Sequence, residues 1–174
     1  DFLRSAAASV DHAPWLVANL HLREPLQDRA GAAPAWDNVI HGDTGLGYVD
    51  ARHQSLDPRP GPTVLSYYLA LGDTADGRRQ LLAQPWGHWR DAVLQVLAGP
   101  HPDIAEKATR MDITRYGHAM AIPKPGLRAA LPQQAPATAR LHFAHADWSG
   151  YSIFEEAFTR GHLAGLAITS RGAS

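Results

Sequence analysis

Residues 63–71 read Thr-Val-Leu-Ser-Tyr-Tyr-Leu-Ala-Leu, β-branched and aromatic throughout, and close on Gly72-Asp73. Such a run is built for a half-buried pleated surface. A strand cannot stand alone, because its backbone donors and acceptors need neighbours. The neighbours are upstream. Residues 15–22, Trp-Leu-Val-Ala-Asn-Leu-His-Leu, are strand-like between Pro14 and Pro25. Residues 36–40 read as a short strand. Gly42, Gly45 and Gly47 then lead into a further strand over 48–53. Turn residues at this spacing predict an antiparallel or mixed sheet.

The period then changes. Trp86, Trp89, Val93, Val96 and Leu97 recur every three or four residues, with Pro85 at the start and Gly99-Pro100 at the end. That is one face of an amphipathic helix, and a sheet with one apolar face needs such a cover. Arg78-Arg79 reads as a solvated helix start, and Pro102-Asp103 opens a shorter helix reaching Ala108. Residues 111–120 return to strand character. A proline-rich connection over 123–138 precedes a buried-strand candidate at Arg140-Leu141-His142-Phe143-Ala144 and a final helix over 152–168.

That helix carries Ser152 and Glu155 at capping-box spacing, and Ala157, Gly161 and Gly165 four apart beside Ile153, Phe154, Phe158 and Ile168. Small residues at this spacing let another backbone approach closely. Tight packing on the chain's own sheet would use the same pattern.

At 174 residues, 45% hydrophobic and 19% charged, the chain suits one globular domain. A net charge of −1 gives no basic field for nucleic acid or an anionic membrane. The absence of Cys excludes disulfides, thiolate metal sites and a Cys nucleophile. No run approaches the ~20 apolar residues of a membrane span. The start, Asp1-Phe2-Leu3-Arg4, lacks Met and the order of a signal peptide. It reads as a cut or processed end, which leaves the location open between cytoplasm and periplasm.

Other chemistries are poorly supplied. His142 and His145 lie three apart on an expected strand, so they point to opposite faces and cannot chelate without a bend. His12, His21, His41 and His53 are scattered, so no metal site is expected. Ser149 has no nucleophile elbow around it.

Three segments together carry a resemblance: residues 37–54 (DNVIHGDTGLGYVDARHQ), 115–126 (RYGHAMAIPKPG) and 143–165 (FAHADWSGYSIFEEAFTRGHLAG). The last resembles the C-terminal flavin motif of FAD-dependent amine oxidases. The first two, together with residues 145–157 (HADWSGYSIFEEA) of the last, are similar to bacterial spermidine dehydrogenase-type flavoproteins, over about residues 14–168. The resemblance implies an α+β chain with a mixed or antiparallel substrate-domain sheet and helices. It also implies the C-terminal strand and helix of a Rossmann-like FAD domain. Residues 1–138 would belong to the substrate side and 139–174 to the cofactor side.

The resemblance places Asp147 near the ribityl–pyrophosphate part of FAD. Trp148, Ser149, Gly150, Tyr151 and Ser152 would form the turn and helix start near the flavin ring. Tyr151 would also flank the amine substrate. His118 would lie near the substrate cavity, as a hydrogen-bonded structural histidine or a proton-handling one. The expected reaction is amine oxidation, of a polyamine such as spermidine, by hydride transfer to flavin.

One element of the family pattern is missing. The dinucleotide fingerprint G-x-G-x-x-G is absent, and Gly42-x-x-Gly45-x-Gly47 is in the wrong order and leads into a strand, as a turn does. The remaining FAD-binding half is therefore expected elsewhere, in cis or on another chain. Alone, this chain is expected to hold no FAD, to be inactive, and to expose apolar surface at its last strand and helix that could drive self-association. The alternative is a non-catalytic, partner-binding module that keeps the fold.

Overall fold

The computed structural model describes residues 2–27, 31, 33, 35–57, 59–72, 76–131 and 141–171. Its elements are α1 (Phe2–Ser9), β1 (His12–Leu22), β2 (Asp37–Asn38), β3 (Gly47–Asp50), β4 (Thr63–Ala70), α2 (Gly77–Ala83), α3 (Trp86–Ala98), α4 (Ile104–Lys107), β5 (Ala108–Ala121), α5 (Leu127–Ala130) and α6 (Phe154–Arg171). Short 3-10 turns occupy Ala51–Gln54 and Ala146–Trp148. Two compact units result: Pro14–Gly117, and Asp1–Ala13 with His118–Ser174.

The first unit is the sheet and its helices. The strand order is β2-β3-β4-β1-β5. β1 pairs antiparallel with β4 from Trp15↔Ala70 to Leu22↔Thr63. β3 pairs antiparallel with β4 and β2 with β3. The register follows from the period-two pattern. Leu16, Ala18 and Leu20 stand opposite Leu69, Tyr67 and Leu65, and all six are buried. A slip of one residue would turn every one of them to the other face.

Leu81 of α2, Trp89, Val93 and Leu97 of α3, and Ile104 of α4 join the same core. The α3 positions fall four apart, as the helical period requires. Trp86 departs from the expected stripe. It sits at the first helical position, half exposed, with the Arg90 guanidinium 5.2 Å from its ring centre.

The strand expected over 48–53 stops at Asp50, because side chains there compete for the backbone. The Asp50 carboxylate accepts from Arg52 N (2.9 Å) and from Thr63 Oγ1 (2.7 Å), which caps the turn Ala51–Gln54. Upstream, the three glycines form a turn into β3. Gly47 has φ of 97°, and a Cβ there would lie 2.0 Å from Asn38 O. The buried Tyr67 hydroxyl holds this turn by donating to Asp43 Oδ2 at 2.7 Å.

In the second unit the strand expected at 140–144 does not form. Residues 141–145 are irregular, and Arg140 lies outside the described residues. An extended segment needs a neighbouring strand for its backbone groups, and none pairs with it among the described residues. The connection expected over 123–138 contains the single turn α5, anchored by buried Leu127 and Leu131; residues 132–138 lie outside the described residues. α6 begins at Phe154, two residues after Ser152. No described side chain of α6 is buried, and Phe154 and Phe158 are 77% and 65% exposed. Gly161 and Gly165 have open space where a Cβ would stand. The small-residue ridge thus lies uncovered by any described residue. Among the described residues no helix is long and apolar enough to cross a membrane.

Candidate functional site

Residues 145–152 form a compact wound turn. Trp148 N donates to His145 O (3.2 Å), Ser149 N to Ala146 O (3.0 Å) and Gly150 N to Asp147 O (3.1 Å). His145 caps the turn, its Nδ1 accepting from Asp147 N at 3.2 Å. The Ser149 side chain is buried and its hydroxyl donates to Ala146 O at 2.8 Å. Gly150 reverses the chain at φ of 71°, a region that disfavours any Cβ. A Cβ there would also come within 3.0 Å of Leu127 Cδ2. Ser152 Oγ accepts from Ala121 N at 2.8 Å, so its hydroxyl ties the helix start to β5.

The Asp147 carboxylate is held by His12, with His145 beside it. Its Oδ2 lies 2.8 Å from His12 Nε2, and its Oδ1 lies 3.2 Å from His145 Nδ1. His118 stands beside His12, their ring centres 5.9 Å apart. Trp148 meets Phe143 edge-on at 5.8 Å. The structure thus brings His118 and Asp147 into one neighbourhood through His12, a residue that sequence reasoning left among scattered histidines. No spacing signal could have paired His12 with a carboxylate so distant in the chain.

Tyr151 emerges from the turn half exposed, with the Arg128 guanidinium 5.6 Å from its ring centre. A concavity of about 350 Å³ lies here, lined by Pro123, Lys124, Gly126, Leu127, Arg128 and Ala129 with Ser149, Gly150 and Tyr151. Lys124 pairs with Asp11. Arg128 was not anticipated either, since a lone Arg after a Pro-Gly turn carries no signal.

The other unit holds a larger hollow of about 660 Å³ that includes Asp37, His41, Tyr48, Asp50, Arg52 and His101. Tyr48 Oη and His101 Nε2 are 2.7 Å apart, and Asp50 serves its own turn. Polar groups there hold the fold, and the motif-bearing turn is not among its lining residues. Among the described residues no group of three His, Asp or Glu is placed to hold a metal ion.

No protein-family model matches this sequence, and no curated protein matches it. A solved structure does: cyclohexylamine oxidase from Brevibacterium oxydans IH-35A, with a TM-score of 0.64 at 16% identity. The match covers 96% of this chain and 37% of that one. The chain therefore has an amine oxidase-like fold, a mixture of helices with an antiparallel sheet, and spans little more than a third of the oxidase's length.

Proposed function

We propose that this chain is the substrate-side and C-terminal portion of an FAD-dependent oxidoreductase that oxidises an amine. One observation carries the reading. The turn that sequence resemblance assigns to a flavin site is a wound, glycine-reversed turn with a partly exposed carboxylate and a projecting Tyr151. The amine oxidase-like fold supports it independently.

The residues present fit part of the cofactor. Asp147 can accept from sugar hydroxyls, while Gly150, buried against Leu127, serves by reversing the chain so that Tyr151 projects. No glycine-rich phosphate cradle occurs among the described residues, so the adenine end would be held by the remaining half, in cis or on another chain. FAD, when bound, supplies the acceptor for the hydride that leaves the carbon next to nitrogen. This chain's residues then orient the amine, through the Tyr151 face, and exclude water. His118, next to the His12–Asp147 pair, is the group placed to handle a proton. The division into residues 1–138 and 139–174, a bacterial source and a kinship of sequence, though not of substrate, with spermidine dehydrogenase-type flavoproteins belong to the same proposal.

The test is the complete protein. Purified in full it should be yellow, and anaerobic addition of amines should bleach the flavin band; a colourless complete protein sinks the reading. The 174-residue chain alone should bind no flavin, and a stoichiometric flavin spectrum would contradict that part. The exposed α6 stripe favours a second reading, a non-catalytic module that binds a partner through this helix. Bleaching by any amine decides against it.

A further inference from the structure

Around Tyr151 the charges are one-sided. Among the described residues the charged ones lining the concavity are Lys124 and Arg128, and no described carboxylate lines it. Lys124 is neutralised by Asp11. Arg128 makes no ion pair among the described residues and lies over the Tyr151 ring, where its charge meets the electron-rich face. The Tyr151 hydroxyl, on the same exposed side chain, has no hydrogen-bond partner among the described residues. A planar fork of N–H donors beside a free phenol O–H, in a hollow lined by no carboxylate among the described residues, is complementary to a carboxylate.

We propose that Arg128 and Tyr151 form a carboxylate-binding subsite, and that the substrate is an amine bearing a carboxylate rather than a polyamine. This rests on the amine-oxidising reading for its substrate and on the geometry for its subsite. A polycation brought to Tyr151 would meet the guanidinium as a like charge, with no carboxylate paired to Arg128 among the described residues to offset it. An amino acid would present its carboxylate to Arg128 and leave its nitrogen for the reacting centre.

The experiment has two arms. In the first, benzoate is titrated into the 174-residue chain while the Tyr151 ring resonances are followed by NMR. The shift should saturate, weaken about tenfold in Arg128→Ala, as loss of one exposed charge-assisted bond predicts, and partly return in Arg128→Lys. Benzoate that leaves Tyr151 unmoved, or moves it equally in Arg128→Ala, overturns the subsite. In the second arm the complete flavoprotein is assayed with an amino acid and its decarboxylated amine. Arg128→Ala should raise KM about tenfold for the first and change it less than about twofold for the second. An equal change for both, or a wild-type preference for spermidine, overturns the substrate assignment. If benzoate binds yet no amine reduces the flavin, the amine-oxidising reading fails, the substrate assignment with it, and the subsite stands.

Discussion

His12 and Asp147 are 135 residues apart in the chain, and their side chains meet at 2.8 Å. Both are only about a quarter exposed, at 22% and 27%. A carboxylate only accepts, so His12 Nε2 is the donor. The bond fixes the orientation of Asp147 before any ligand arrives and leaves Oδ1 turned toward His145.

That bond is measurable by a double-mutant cycle in urea. His12→Ala and Asp147→Asn should each destabilise the chain, and together by less than their sum. The coupling expected for a half-buried bond to a charged group is about 1 kcal/mol. Simple additivity would remove the contact.

In the complete flavoprotein, Asp147→Ala should purify with depleted flavin that added FAD restores. The loss of a hydrogen bond to a charged group corresponds to roughly ten- to hundredfold weaker binding. Tyr151→Phe keeps the ring and should hold flavin while turnover changes. Wild-type retention in Asp147→Ala would show that this carboxylate does not meet the cofactor.

Two glycines should respond unequally to a methyl group. At Gly150 the obstacle is the end of the Leu127 side chain, which can yield, so Gly150→Ala should cost about 1–2 kcal/mol, the strain of its left-handed backbone. At Gly47 the obstacle is the Asn38 carbonyl, backbone that cannot yield without parting β2 from β3. Gly47→Ala should therefore lower the melting temperature more. Equal shifts would contradict this.

Tyr67 should resist ionisation. Burial, then its bond to Asp43 and that residue's charge, push the phenol well above the ordinary range. A raised folded pKa contributes stability that is complete below the unfolded value, about 10, and is lost as pH rises past it. Absorbance at 295 nm should show one tyrosine that titrates only as the chain unfolds. In Tyr67→Phe that component should vanish; if it persists, another tyrosine is responsible.

The sheet was legible because its pattern is local. Period two in residues 15–22 and 63–71 fixes which side chains of β1 and β4 face the core, and the four-residue spacing of Trp89, Val93 and Leu97 does the same for α3. Where side chains bond to nearby backbone the pattern is silent, as at Asp50, which ends β3 early. Residues 141–145 show the limit of composition: an apolar run becomes a strand only beside another strand. In the site, resemblance singled out Asp147, Gly150 and Tyr151, and the structure adds who touches them. His12 and Arg128 reach the turn through chain reversals that no short motif encodes. The hydroxyls of Ser149 and Ser152, expected near the flavin, bond to Ala146 O and Ala121 N, an internal use that sequence does not distinguish from a ligand contact.

That no described side chain along α6 is buried has a kinetic meaning. A helix secured mainly by its own backbone ladder opens by fraying, without waiting for the rest of the molecule. In the isolated chain its amides should trade hydrogen for deuterium far sooner than those of β1 and β4, whose release requires the core to come apart. Proteases should likewise clip near Phe154 and Phe158 first. Whatever seats itself on those rings would slow both processes together, so exchange along this one helix reports the arrival of a partner without any knowledge of its chemistry.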